Sequence, residues 1–143
     1  MLFQRLNRED AEKVFVIVKN VAGATLTANY PCVWDITSSV DGVRVSKPAT
    51  ATLSLFVGIA DDDIADSAYG LVQTFGYRAS AFVTNDTSIA LAAGDILIPV
   101  NAAWHLIESS ASDGKSGFIY AAEAFATATT PAAANKKVLI RAL

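Results

Sequence analysis

Apolar residues in this chain come in short runs, not at helical spacing. Lys13 to Lys19 (KVFVIVK) is rich in β-branched and aromatic residues, and its unbroken apolar centre predicts a strand buried on both faces. Turn chemistry follows each such run. Val21 to Thr25 (VAGAT) and Asn29 to Pro31 (NYP) mark turns, and Asp41-Gly42, between Val40 and Val43, is the dipeptide of a two-residue hairpin. Further punctuation falls at Asn85-Asp86, Gly94-Asp95 and Ser109 to Gly117. Short strands parted by turns at roughly ten-residue spacing, with no long amphipathic helix pattern, predict an all-β fold: a small single-domain β-barrel or β-sandwich.

Two stretches carry helical signals. Asp61 to Tyr69 (DDDIADSAY) has carboxylates where a helix start favours them and Gly70 to stop it, which predicts a short helix or a turn between strands. Phe118 to Ala134 has alanine's helix propensity, yet Phe118, Tyr120, Ala122, Ala124 and Ala126 fit a period of two, and Thr127, Thr129, Thr130 and Pro131 oppose a long helix, so strand is favoured. Lys137 to Leu143 (KVLIRAL) reads as a closing strand. Residues 1–12 lack a strand pattern and are expected to form an N-terminal arm, with residues 13–143 making the β domain.

A chain of 143 residues suits one domain and can bury roughly 70% of its unfolded surface. Hydrophobic residues make up 52% and charged residues 17%, which points to a real core and away from disorder. Much of that apolar share is alanine, which suits flat, close contacts between subunits. The net charge is −3 and the eleven Lys and Arg residues are scattered, so no basic stripe exists to neutralise phosphates and no nucleic-acid partner is expected. No eighteen-residue apolar run is present and the N-terminus lacks the order of a signal peptide, so no membrane partner is expected either. With Cys32 as the single cysteine, neither an internal disulfide nor a thiolate metal cluster can form within one chain.

Candidate chemistry is sparse. A triad would have to run through His105, the single histidine, beside Trp104; the expectation is a packed or rim residue. Cys32, between Pro31 and Val33, reads as a small buried hydrophobe. Asp61, Asp62, Asp63 and Asp66 offer oxygen ligands but lack the spacing of an EF-hand loop, and helix-start carboxylates account for them. Glu108 and Glu123 are the carboxylates a glycosidase reading would need to face one another. Gly70 and Gly76 flank LVQTF without the spacing of a phosphate loop. Trp34 and Trp104 are sugar-stacking candidates whose commoner role is core or interface anchoring. No enzyme activity and no cofactor are expected.

Phe56 to Val83 (FVGIADDDIADSAYGLVQTFGYRASAFV) carries Gly58, Ile59, Ala60, Ile64, Tyr69, Gly70, Val72, Gln73 and Gly76 in a pattern that resembles the decoration, or cement, proteins of tailed-phage capsids. KNVAGATLTANYPCVWDIT upstream is similar to that family's opening of strand, glycine turn and strand, and LAAGDILIPV with the following Ala-rich segment is similar to its closing half. The likeness runs from about Lys13 onward and departs at MLFQRLNREDAE and around Trp104 to Lys115. It implies a structural virion protein on the capsid exterior, made in the host cytoplasm, that binds the major capsid protein, bridges capsomers and self-associates, commonly as a homotrimer. It implies no catalytic or metal residues. Leu2, Phe3, Arg5, Leu6 and Arg8 of the arm are the capsid-contact candidates, ordering on the shell when bound, against the plainer reading of a frayed terminus. The alternative function is a surface module, a sugar- or receptor-binding domain of a virion fibre, which predicts a cleft with Trp34 or Trp104 exposed.

Overall fold

The computed structural model describes residues 11–37, 40–85, 90–109, 118–128, 130 and 132–142. All regular structure among them is β: β1 (Lys13–Asn20), β2 (Pro31–Trp34), β3 (Arg44–Ser46), β4 (Phe56–Ala60), β5 (Tyr69–Thr84), β6 (Ile96–Pro99), β7 (Leu106–Glu108), β8 (Ile119–Ala121) and β9 (Ala133–Arg141). They form one sheet in the order β1-β3-β2-β4-β5-β7-β6-β8-β9, with β1 and β9 both pairing again with β5. Those extra pairings close the sheet twice. One ring is β1-β3-β2-β4-β5, the other β5-β7-β6-β8-β9, and each contains one parallel pair, β1 with β3 and β5 with β7. Ring closure removes most strand edges, which is how an all-β chain avoids unpaired backbone.

The 16-residue β5 is the shared wall, pairing with β1 through Tyr69 to Gly76 and with β9 through Phe75 to Thr84. A single strand serves both rings because it bends. Register slips at Thr74 and again between Arg78 and Ala81, and Gly76 between them has φ 98°, a region side-chain-bearing residues avoid. A Cβ at Gly76 would also sit 2.0 Å from the Glu12 carbonyl oxygen.

Each ring has its own core. Val18, Leu26, Cys32, Val45, Ile64 and Val72 anchor the first cluster; Leu91, Leu97, Leu106, Ile119, Val138 and Ile140 anchor the second. β4 lies between them and is buried along its length. Its Val57 and Ala60 join the first cluster, Phe56 and Ile59 the second, and a register shift opposite Cys32 and Val33 breaks the simple alternation that would forbid this.

That arrangement corrects the reading of Lys13 to Lys19. The strand buried on both faces is β4, whereas β1 is ring wall: Val18 is buried, while Phe15 and Ile17 point outward and are exposed. Nor is Asp41-Gly42 a two-residue hairpin. The antiparallel pairing of β2 and β3 ends with the Asp35 N–H donating to the Arg44 carbonyl, so the connection is longer than two residues, while on the other edge of β3 the Val43 carbonyl accepts from the Lys19 N–H. Gly42 does adopt φ 71°, and the Asp41 carboxylate caps the turn by accepting from the N–H groups of Val43 and Arg44. Of the two options for Asp61 to Tyr69, the turn is the one formed. In Phe118 to Ala134 the strand is brief, ending at Ala121, followed by a single bridge from Phe125 to Leu91. The closing strand begins earlier than read, at Ala133.

Candidate functional site

Among the described residues, the most heavily bonded side chain sits where the rings meet. Arg78, on β5 just past the Gly76 bend, is buried, and each of its five N–H bonds has an acceptor. Nε donates to the Ser80 carbonyl at 2.8 Å, Nη1 to Asp61 Oδ1 at 3.0 Å and Gln73 Oε1 at 3.2 Å, and Nη2 to Asn29 Oδ1 at 2.9 Å and the Ala60 carbonyl at 2.8 Å. Gln73, also buried, passes its Nε2 hydrogens to the carbonyls of Phe75 and Tyr77, each at 3.1 Å. The cluster ties the turn at Asn29, the end of β4 and both halves of β5 together. Gly58 fits this closeness, since a Cβ there would lie 2.1 Å from the Gln73 carbonyl oxygen. With its donors all committed, the guanidinium is a structural clamp and has no hydrogen left for a ligand. Sequence reasoning passed over it, although an arginine inside Phe75 to Val83 was a visible signal: a charge in an apolar strand requires buried partners.

The acidic cluster is spent on the same local architecture. Asp61 pairs with Arg78, Asp63 Oδ1 accepts from the Ala28 N–H at 2.8 Å, and Asp66 Oδ1 accepts from the Gly23 N–H at 2.9 Å. The carboxylates therefore pin the glycine turn of residues 21–28 to the turn before β5, in place of starting a helix. Among the described residues no three His, Cys, Asp or Glu side chains converge as a metal site.

The remaining candidates are dispersed. Cys32 is fully buried, its Sγ 3.8 Å from the Gly58 carbonyl oxygen, and burial pushes its thiol pKa far up, away from a nucleophilic thiolate. His105 is partly buried; desolvation, and then the charge of Lys47, hold its pKa below the usual imidazole value. Glu123 accepts from the Lys137 N–H at 2.9 Å, and Glu108 faces Leu97 across β6 and β7. Trp34 and Trp104 both pack against the first core. Trp104 stacks on Tyr30 with ring centroids 5.8 Å apart, and Tyr30 meets Phe82 at 5.3 Å, so these aromatics join the rings from outside. A cleft of about 320 Å³ is lined by Val21, Asp35, Thr37, Ser46, Lys47 and Thr52, with neither tryptophan in its wall. Leu2, Phe3, Arg5, Leu6 and Arg8 lie outside the described residues.

One part of the surface presents apolar side chains together. On the outside of the first ring Ile17 stands opposite Leu71 and Lys19 opposite Tyr69 in the β1–β5 register, so each pair shares one face, with Phe15 next along β1. Exposure is 37% for Phe15, 68% for Ile17, 46% for Leu71 and 65% for Tyr69. The Lys19 ammonium lies 5.8 Å from the Tyr69 ring centroid. Exposed apolar side chains grouped like this mark contact surfaces more than single ones do.

No protein-family model matches the chain, and no curated protein sequence matches it. Among solved structures it is similar to the crystal structure of the head fiber gp8.5 N base in bacteriophage phi29, at 15% sequence identity and a TM-score of 0.50. The likeness covers 92% of this chain and 97% of that one, so it embraces both rings. At that identity it establishes a shared fold.

Proposed function

We propose that this chain is a structural protein of a phage head, attached to the outside of the capsid and stabilising it by bridging capsomers. The observation that carries the reading is the shared fold: a likeness over 92% of this chain and 97% of the base of a phage head fibre. The resemblance of Phe56 to Val83 to capsid decoration proteins points the same way from the sequence. It now has a physical counterpart, because Gly58, Gln73 and Gly76 of that segment build the bend and clamp that hold the rings together.

The chemistry of the surface agrees. Ionisable side chains named as catalytic candidates are scattered or committed to the fold, while four exposed apolar residues, Phe15, Ile17, Leu71 and Tyr69, share the β1–β5 face. A protein of this kind acts through area and copy number, not through a pocket; many weak contacts to a repeating lattice give avidity. The neighbour's description as a base favours attachment over sugar recognition, and Trp34 and Trp104 are partly buried against the first core and do not line the described cleft.

The test is a reconstitution. Purified protein is mixed with phage heads that lack it, the heads are pelleted, and the bound protein and the temperature of DNA release are measured. Saturable co-sedimentation with a raised release temperature is expected. Protein that stays in the supernatant at every ratio removes the proposal.

A further inference from the structure

Along β1 the outward side chains read cation, apolar, apolar, cation. Val16 and Val18 turn toward the first core, so Lys13, Phe15, Ile17 and Lys19 line the outside of the first ring. Across the ladder Leu71 stands opposite Ile17 and Tyr69 opposite Lys19, which widens the apolar centre onto β5. Among the described residues neither lysine has an acidic partner, because the ion pairs there join Arg44 to Asp41, Arg78 to Asp61 and Lys137 to Glu123. Asp61, whose N–H donates to the Leu71 carbonyl at the far side of this face, is already held by Arg78. Glu12, next in the chain to Lys13, forms no ion pair with it. In a chain of net charge −3, the two rim charges left without a partner are both positive. An apolar centre with a charged rim is the anatomy of a protein–protein contact.

We propose that this face is where the chain docks on the capsid, and that the capsid surface it meets has an apolar centre bracketed by carboxylates. The occupant rests on the head-protein reading above; its chemistry follows from the strip itself. Six residues of strand separate the lysines, so the carboxylates that answer them stand about 20 Å apart. Ile17 and Tyr69, exposed by 68% and 65%, lose their water on contact and supply affinity. The lysines set orientation and speed of encounter, and each gains the charged acceptor that the fold does not give it. A second copy is a poorer occupant of the same face. Laid face to face with strands aligned, two copies set lysine against lysine at both ends, and like charges opposed across a contact are destabilising.

The test titrates the parent chain and three variants onto phage heads that lack the protein, at low and high salt, and measures what pellets with the heads. Ile17→Lys charges the apolar centre, and Lys13→Gln combined with Lys19→Gln removes both rim charges. Leu139→Lys is the control: Leu139 is 46% exposed, as Leu71 is, but lies outside the second ring between the buried Val138 and Ile140. All three are expected to fold, as judged by far-UV circular dichroism and urea midpoint. Ile17→Lys should weaken head binding by at least about tenfold. The double glutamine variant should weaken it at low salt and flatten its dependence on salt, and Leu139→Lys should leave it unchanged. Parent-like binding by Ile17→Lys or by the glutamine variant, or loss of binding with Leu139→Lys, overturns the proposal and leaves the capsid reading standing. A parent chain that never binds heads removes both. Self-association in sedimentation velocity, or flotation with phosphatidylglycerol vesicles, that Ile17→Lys abolishes gives the face another occupant and likewise overturns the proposal.

Discussion

The two rings share a strand and a plan but not a balance of forces. The second is closed by the longer pairing, β5 with β9, and surrounds a core of leucine and isoleucine with Phe56. The first surrounds a core in which valine is the commonest residue, with Leu26, Ile64, Ala60 and Cys32, and the partly buried Tyr30, Trp34 and Trp104 pack against it. It also holds the larger set of polar fastenings among the described residues: the Arg78 clamp reaches into it through Asp61, Asn29 and Ala60, and Asp63 and Asp66 tie its turns, while the second ring has Asn85, bonded to Ala126 and Ala132. The second ring relies more on apolar burial, while the first adds more directed side-chain hydrogen bonds and carries Ile17, Leu71 and Tyr69 exposed on its wall.

The comparison can be broken at its hinge first. Arg78→Leu removes five hydrogen bonds and strands buried acceptors in both rings, so the urea midpoint should fall by the equivalent of about 4 kcal/mol, the largest single effect expected. Next come the two cores. Leu106→Ala in the second should lose about 3 kcal/mol and Val45→Ala in the first about 2, measured by urea unfolding with unchanged slope; equal losses would remove the distinction drawn between them.

His105 gives a smaller, pH-dependent effect. Burial lowers its folded pKa, so the unfolded chain takes up the proton first as pH falls. Its contribution is present above about pH 6.5, the unfolded value, and is lost as pH drops through the lowered folded value. His105→Gln should therefore flatten the decline in melting temperature between neutral and mildly acid pH, and an unchanged decline would assign it to other groups. Smallest of all is Ile17→Lys, which should leave the unfolding free energy within about 0.5 kcal/mol of the parent, because that side chain faces solvent on the first ring. A large loss there would mean the wall is not bare.

Much of the strand content could be read from the chain because β-branched runs and Gly, Asn and Pro turns act locally. Tertiary closure could not. KVFVIVK looks like a strand covered on both sides, yet whether an apolar strand is wall or filling depends on what lies beyond it, and only the second closure of the sheet on β5 decides that β4 is the filling. The carboxylates of Asp61 to Asp66 matched a helix start because their true acceptor role, toward the N–H groups of Gly23 and Ala28, spans about forty residues of sequence. Asp41-Gly42 supplied a turn as expected, but the strands on either side of it pair only up to Asp35 and Arg44, so the connection is longer than a two-residue hairpin. Of the surface, Phe15 and Ile17 were visible as apolar residues and invisible as exposed ones.

The central claim, that a two-ring β scaffold works by laying its outside against a repeating shell, is met most directly by electron cryo-microscopy of heads lacking the protein after incubation with it. The account predicts added density of this two-ring shape at symmetry-related lattice positions. Bare heads, or protein scattered without relation to the lattice, would contradict it.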